Sequence, residues 1–198
     1  MWKLNEPSIM NDNFDIHPIQ WNPIHIRRYW DFFSRRSDYQ KNNFAALVGD
    51  SLLRIARRHQ LPLTGSLLDF GCGCGFFIQK LLKYGGKVTG VEVSEVAADM
   101  ATASLGEIPG FQGVIIPAHY PLPLPGDHFD GIFLLETIEH FPEEELHTIL
   151  KELHRLLKKG GYLFITTPNE ENLRAGEVIC PECGCMFHSG QHLWSWNQ

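Results

Sequence analysis

The sequence predicts a doubly wound α/β protein, a mostly parallel sheet with helices on both faces. Three observations carry that expectation. From Ser66 to Thr167, short apolar runs alternate with longer stretches of 3.6-residue period. The runs lack the polar alternation of a half-exposed sheet, so both of their faces are buried. A glycine loop, Gly71-Cys72-Gly73-Cys74-Gly75, stands where the first run gives way to the first helical stretch. The composition agrees, because 198 residues with 43% hydrophobic and 20% charged side chains suit one soluble domain with an appendage.

Taken in order, about the first fifteen residues carry no period and predict an irregular arm. Apolar residues then recur at intervals of three and four over Ile26 to Phe33 and Phe44 to His59, predicting amphipathic helices that complete an N-terminal segment, 1–60. Pro62 and Gly65 end the second of these and open the main domain, 61–170. Strands follow at Ser66–Phe70, Lys87–Glu92, Gly113–Pro117, Gly131–Leu135 and Tyr162–Thr167. Helices are expected at Phe76–Tyr84, Glu95–Leu105 and Glu143–Lys158, and the pairs Gly85-Gly86 and Gly160-Gly161 just past helix ends supply left-handed residues.

The loop position is the ligand mouth of doubly wound sheets, where glycines admit a close backbone approach and a helix N-terminus faces the ligand. Glu92 ends the second strand about twenty residues further on, where a carboxylate accepts hydrogen bonds from ribose hydroxyls. A nicotinamide dinucleotide would use the same order of elements. Its fingerprint, however, places a third glycine three residues after the second, and Phe76 occupies that position.

The segments LLDFGCGCG (67–75), VTGVEVSE (88–95), Asp127–Ile132, Glu136–Phe141 and Leu156–Tyr162 together resemble the class I S-adenosylmethionine-dependent methyltransferases, of the small-molecule type near the ubiquinone-biosynthesis O-methyltransferases. The resemblance covers about residues 40 to 170. It implies S-adenosylmethionine as cofactor, lying across the strand ends. Its amino acid portion would lie near Asp69, Gly71, Cys72, Gly73 and Gly75, its ribose on Glu92 beside Val93, and its remainder along Ala118, His119, Leu135 and Glu136. Two departures stand out. The acidic residue that commonly receives the adenine amino group in the family is replaced by Ala118, leaving packing, backbone or His119 to hold the base. The family's last antiparallel strand pair is also missing, because the chain ends about thirty residues after Thr167. A truncated reading frame, or an edge covered by the tail or by a second copy in a homodimer, is the expectation.

The implied chemistry is methyl transfer to a small-molecule or carrier-linked acceptor, at oxygen or carbon, with a non-catalytic cofactor-binding scaffold as the alternative. His140 and Glu139 are candidate bases, with His119 a further one, and Trp30, Phe33 and Tyr39 form either a lid or core packing. In the tail, 171–198, Cys180 and Cys183 followed by His188 and His192 match a small structural Zn2+ site, the competing reading being reduced thiols and surface histidines without metal. Seventeen basic against 23 acidic residues, a net charge of −6, argue against nucleic acid as a partner. No apolar run approaches the roughly 20 residues that span a bilayer. A membrane is therefore not expected, and with no secretory signal a cytoplasmic location is.

Overall fold

The computed structural model describes residues 15–197, so the expected N-terminal arm lies almost wholly outside the described residues. A two-residue strand β1 (His17–Pro18) leads into helices α1 (Pro23–Ser34), α2 (Ser37–Lys41) and α3 (Phe44–Arg58). Asn22 and Asn43 cap α1 and α3, their side-chain oxygens accepting the backbone N–H of His25 and Ala46, and Pro23 takes the first turn of α1, where its missing donor costs nothing.

The main unit follows as β2 (Ser66–Phe70), α4 (Phe76–Leu82), β3 (Lys87–Val91), α5 (Glu95–Leu105), β4 (Phe111–Ile115), β5 (Phe129–Leu135), α6 (Glu143–Leu156) and β6 (Leu157–Thr166). The five strands form one parallel sheet in the order β4-β3-β2-β5-β6, the doubly wound arrangement expected from the sequence. Because side chains alternate across a strand, neighbours divide between two cores. Leu67 and Phe133 pack with Leu53, Phe77, Ile78 and Leu81 on the α3–α4 side. Leu68, Ile132 and Leu134 pack with Ile149, Leu153 and Leu156 of α6 on the other. Each such fully buried side chain contributes about 1.5–3 kcal/mol of burial free energy, so this double layer dominates the stability of the domain.

Several element boundaries differ from the sequence expectation, and pairing explains two of them. β4 starts at Phe111 rather than Gly113, since Phe111 packs on the α3–α4 core and Gly113, at φ 97°, sits within an irregular stretch of the β3–β4 ladder. The last helix ends at Leu156 rather than Lys158, because Leu157 already pairs with Phe129, and Gly160, at φ 79°, falls in the register shift before Tyr162 meets Gly131. Among the described residues β6 has β5 as its sole strand neighbour, and Tyr162, Leu163 and Ile165 are exposed.

The tail builds a second, small sheet that the sequence reading did not contain. β7 (Glu177–Ile179) and β8 (Cys185–His188) form an antiparallel hairpin, and β1 joins β8 in parallel. Cys180 and Cys183 sit at its tip, where Gly184 takes φ 78° and its N–H donates to the Cys180 carbonyl. From there residues 189–196 run over the carboxyl ends of the sheet rather than along β6.

Candidate functional site

A cavity of about 490 Å³ opens at the carboxyl ends of β2, β3 and β5, the switch point where this fold takes ligands. One side is built by neighbours in sequence. Asp69, the next-to-last residue of β2, is buried, with its Oδ2 lacking any hydrogen-bond partner; burial, followed by the nearby Glu92 charge, pushes its carboxyl up to about 8. Gly71, at φ 80°, turns the chain so closely past Thr137 that a Cβ there would lie 2.5 Å from that side chain. Gly73, at φ 52°, has nothing within 4 Å of the place its Cβ would occupy, which leaves an open cradle in the wall. Cys72 fills the space beside Gly90 on β3, and Gly75 caps α4 from behind the wall in a left-handed conformation.

Glu92 follows β3. Its Oε2 accepts the Gly73 N–H and its Oε1 the Ser94 N–H, both at 2.8 Å, so one carboxylate ties the glycine loop to the start of α5. A carboxylate has about four lone-pair sites, and two of these remain for a ligand. Burial raises the Glu92 pKa while the two N–H donors oppose that shift.

The opposite side is assembled from distant segments. Glu136 closes β5 at φ 46°, a strained conformation for a residue with a side chain and one that clusters at functional sites. The 3-10 turn that follows carries Glu139, which is fully buried. Its Oε2 accepts the Thr167 hydroxyl at 3.1 Å, its Oε1 has no partner, and burial raises its pKa to about 7. Burial holds His140 neutral, its pKa lowered to about 4. The tail is stitched to this turn. Gln191, wholly buried, gives its Nε2 to the His140 carbonyl at 3.0 Å, takes the Trp30 indole N–H on its Oε1 at 2.9 Å, and offers its own carbonyl to His140 Nδ1 at 3.2 Å. The Leu193 N–H donates to the Glu139 carbonyl and the Trp194 indole to the Phe141 carbonyl. From the N-terminal side, Asp31 accepts the Ser94 hydroxyl at 2.6 Å, and Tyr29, Trp30, Phe33 and Tyr39 present an aromatic wall to the cavity.

Residues 68–165 match the family model described as a methyltransferase domain. This stretch is a domain of the class I S-adenosylmethionine-dependent methyltransferases. It is 32% identical over 108 residues to the ubiquinone biosynthesis O-methyltransferase of Pseudomonas paraeruginosa, a match covering 52% of this chain and 44% of the relative. It is 25% identical over 177 residues to the mitochondrial ubiquinone biosynthesis O-methyltransferase of Mus musculus, covering 84% of this chain and 47% of that one. The chain thus spans about half the length of these curated relatives. The solved structure of the PH0226 protein from Pyrococcus horikoshii shares the fold, with a TM-score of 0.57 at 23% identity over 76% of this chain and 65% of that chain.

Of the residues singled out from sequence, Asp69, Gly71, Cys72, Gly73, Glu92, Val93, Leu135, Glu136, Glu139, His140 and His192 line the cavity. Gly75, Ala118 and His119 do not, and Tyr120 stands in the wall next to them. The four tail residues expected around zinc are not brought together. His188 and His192 group instead with Glu171, whose Oε2 lies 2.5 Å from His192 Nδ1, while Cys180 and Cys183 remain at the hairpin tip. The backbone N–H groups of Gly190 and His192 both donate to His188 Nδ1, which puts the neutral ring's proton on Nε2, facing Glu171. Glu171 thus hydrogen-bonds His192 and lies 3.6 Å from His188 Nε2. His192 also lies close to Glu139 and His140, the second group of side chains spaced for a cation. Sequence reasoning missed Gln191, Glu171 and Tyr120, which carry no motif of their own; Gln191 sits inside the His-x3-His spacing that was read as ligands.

Proposed function

We propose that this protein transfers a methyl group from S-adenosylmethionine to oxygen or carbon of a small-molecule or carrier-linked acceptor. The observation that carries this reading is the unpartnered, buried Asp69 Oδ2 beside the open cradle at Gly73, with Glu92 holding two free lone-pair sites across the loop. A buried acceptor without a donor is costly by itself, and the cofactor's amino group would supply the missing donor. The Glu92 sites suit the ribose hydroxyls, and the wall at Val93 and Leu135 suits apolar contact with the rest of the cofactor.

When bound, the cofactor supplies an electrophilic sulfonium methyl. The protein's part is alignment and exclusion of water. Trp30 and Tyr39 roof the cavity, and Gln191 holds Trp30 against the His140 turn. Neutral His140 and Glu139, its carboxyl near pH 7, are the groups available to hold an acceptor proton. A second copy covering the exposed β6 edge, and a location in the cytoplasm, belong to the same reading. So does a structural metal in the tail, with the histidine–glutamate chain in place of the cysteine pair as the segment it would reorganise.

Calorimetric titration with S-adenosylhomocysteine, with NADH in parallel and Glu92→Ala as control, tests the proposal. Micromolar binding of the former, lost in the variant, is the expected result. Binding of NADH instead, or of neither by a folded chain, would overturn it, and binding without methyl transfer to any acceptor would leave a cofactor-binding scaffold.

A further inference from the structure

The same cavity restricts what can share it with the cofactor, and this inference rests on the proposed methyl transfer. Among the described residues five carboxylates line it, those of Asp69, Glu92, Glu136, Glu139 and Glu145, and no lysine or arginine does. Of the basic side chains close in sequence to the wall, Arg27 pairs with Glu95, Arg36 with Asp38 and Lys80 with Asp50, while Arg28, Arg35 and Lys41 do not line the cavity. The two histidines in the wall add no uncompensated positive charge. His140 is neutral, with its Nδ1 on the Gln191 carbonyl, and His192 is paired with the Glu171 carboxylate.

With Asp69 and Glu92 serving the cofactor, Glu136, Glu139 and Glu145 are the carboxyls left in the wall for whatever else enters, Glu136 even though the family resemblance ran the cofactor along it, and burial raises the pKa of each. An anionic group entering there would lose its water, meet three carboxyls and find no counter-ion. The remaining wall is aromatic. Tyr29 and Phe33 lie 4.6 Å apart between ring centres, Trp30 and Tyr39 6.1 Å, and Phe141 faces them from the sheet side. Such faces attract flat apolar rings and cations.

We propose that the part of the acceptor entering this cavity is an aromatic or amine-bearing group with no anionic substituent, and that Glu136 and Glu145 reject carboxylates and phosphates. The reading divides acceptors by charge, which the glycine loop and Glu92 do not do.

Three para-substituted phenols whose side chains are cationic, neutral and anionic test it: tyramine, 4-ethylphenol and 4-hydroxyphenylacetate. Each is titrated calorimetrically into protein saturated with S-adenosylhomocysteine. Tyramine and 4-ethylphenol should bind at least tenfold more tightly than 4-hydroxyphenylacetate, and Glu145→Lys should narrow or reverse that gap. Equal or tighter binding of 4-hydroxyphenylacetate by the unaltered protein overturns the proposal, as does failure of all three to bind. Should S-adenosylhomocysteine itself not bind, the proposed methyl transfer fails separately, and the same three titrations on the free protein still decide the charge preference of the cavity.

Discussion

The two sides of the cavity are built on different principles. The side proposed for the cofactor comes from one strand, its loop and the end of the next strand, Asp69 to Val93, and its geometry is imposed by adjacent backbone. The acceptor side joins α1, the turn after β5 and the tail, where Gln191 bonds to Trp30 and His140 at sequence separations of 161 and 51. Local construction makes the first side rigid wherever the sheet is formed. Remote construction makes the second depend on a few long-range bonds, so the acceptor side should loosen while the cofactor side stands.

The largest expected effect separates the sides by pH. His140, lowered to about 4 by burial in the fold, contributes stability that is complete above pH 6.5 and lost as the pH falls through 4. The contribution is on the order of 3 kcal/mol. Urea unfolding from pH 7 to pH 4 should show this loss, reduced in His140→Gln. Hydrogen exchange at residues 189–194 should rise before exchange at 69–75, and simultaneous loosening would break the comparison.

Glu92→Ala addresses the other side. We expect S-adenosylhomocysteine affinity to fall about 100-fold, roughly 2.7 kcal/mol, since the ribose site and the tie between Gly73 and Ser94 vanish together. Exchange protection of the tail should not change. Gln191→Ala is the converse. Removing a fully buried amide that satisfies Trp30 and His140 should cost about 2 kcal/mol. Trp30 emission, isolated by difference with Trp30→Phe, should shift to the red while cofactor affinity stays within about threefold. A large loss of affinity would show that the two sides are one unit.

The smallest effect concerns Asp69. Its carboxyl is raised from 3.8 to about 8, so its contribution to stability is full below pH 3.8, declines as the unfolded chain ionises, and is gone once the pH has risen through 8. Because the substituted amide would bury a donor with no partner, offsetting most of the relief from ionisation, Asp69→Asn should stabilise the cofactor-free protein by only about 1 kcal/mol at pH 8.5, read by thermal unfolding, and at the same time weaken S-adenosylhomocysteine binding. A variant that is both less stable and binding-deficient would assign Asp69 a structural role instead.

How much was legible follows the same division. The five parallel strands, the glycine loop and Glu92 could be read in order because apolar runs, punctuating glycines and strand-end acids are properties of neighbouring residues. The aromatic residues before the sheet were visible, but whether Trp30, Phe33 and Tyr39 formed a lid or core depended on what they met. The partners of the tail were not legible. Cys180, Cys183, His188 and His192 have metal-ligand spacing, yet pairing of β7 with β8 holds the cysteines at one tip and sends the histidines toward Glu171 and Glu139.

By itself, then, the sequence determined the sheet, its switch point and the cofactor side, since hydrophobic period, glycine conformation and strand-end chemistry act over a few residues. Tertiary structure alone decided the acceptor side, the burial that neutralises His140 and the place of Gln191. Desolvation and long-range hydrogen bonds arise only when remote segments exclude water together.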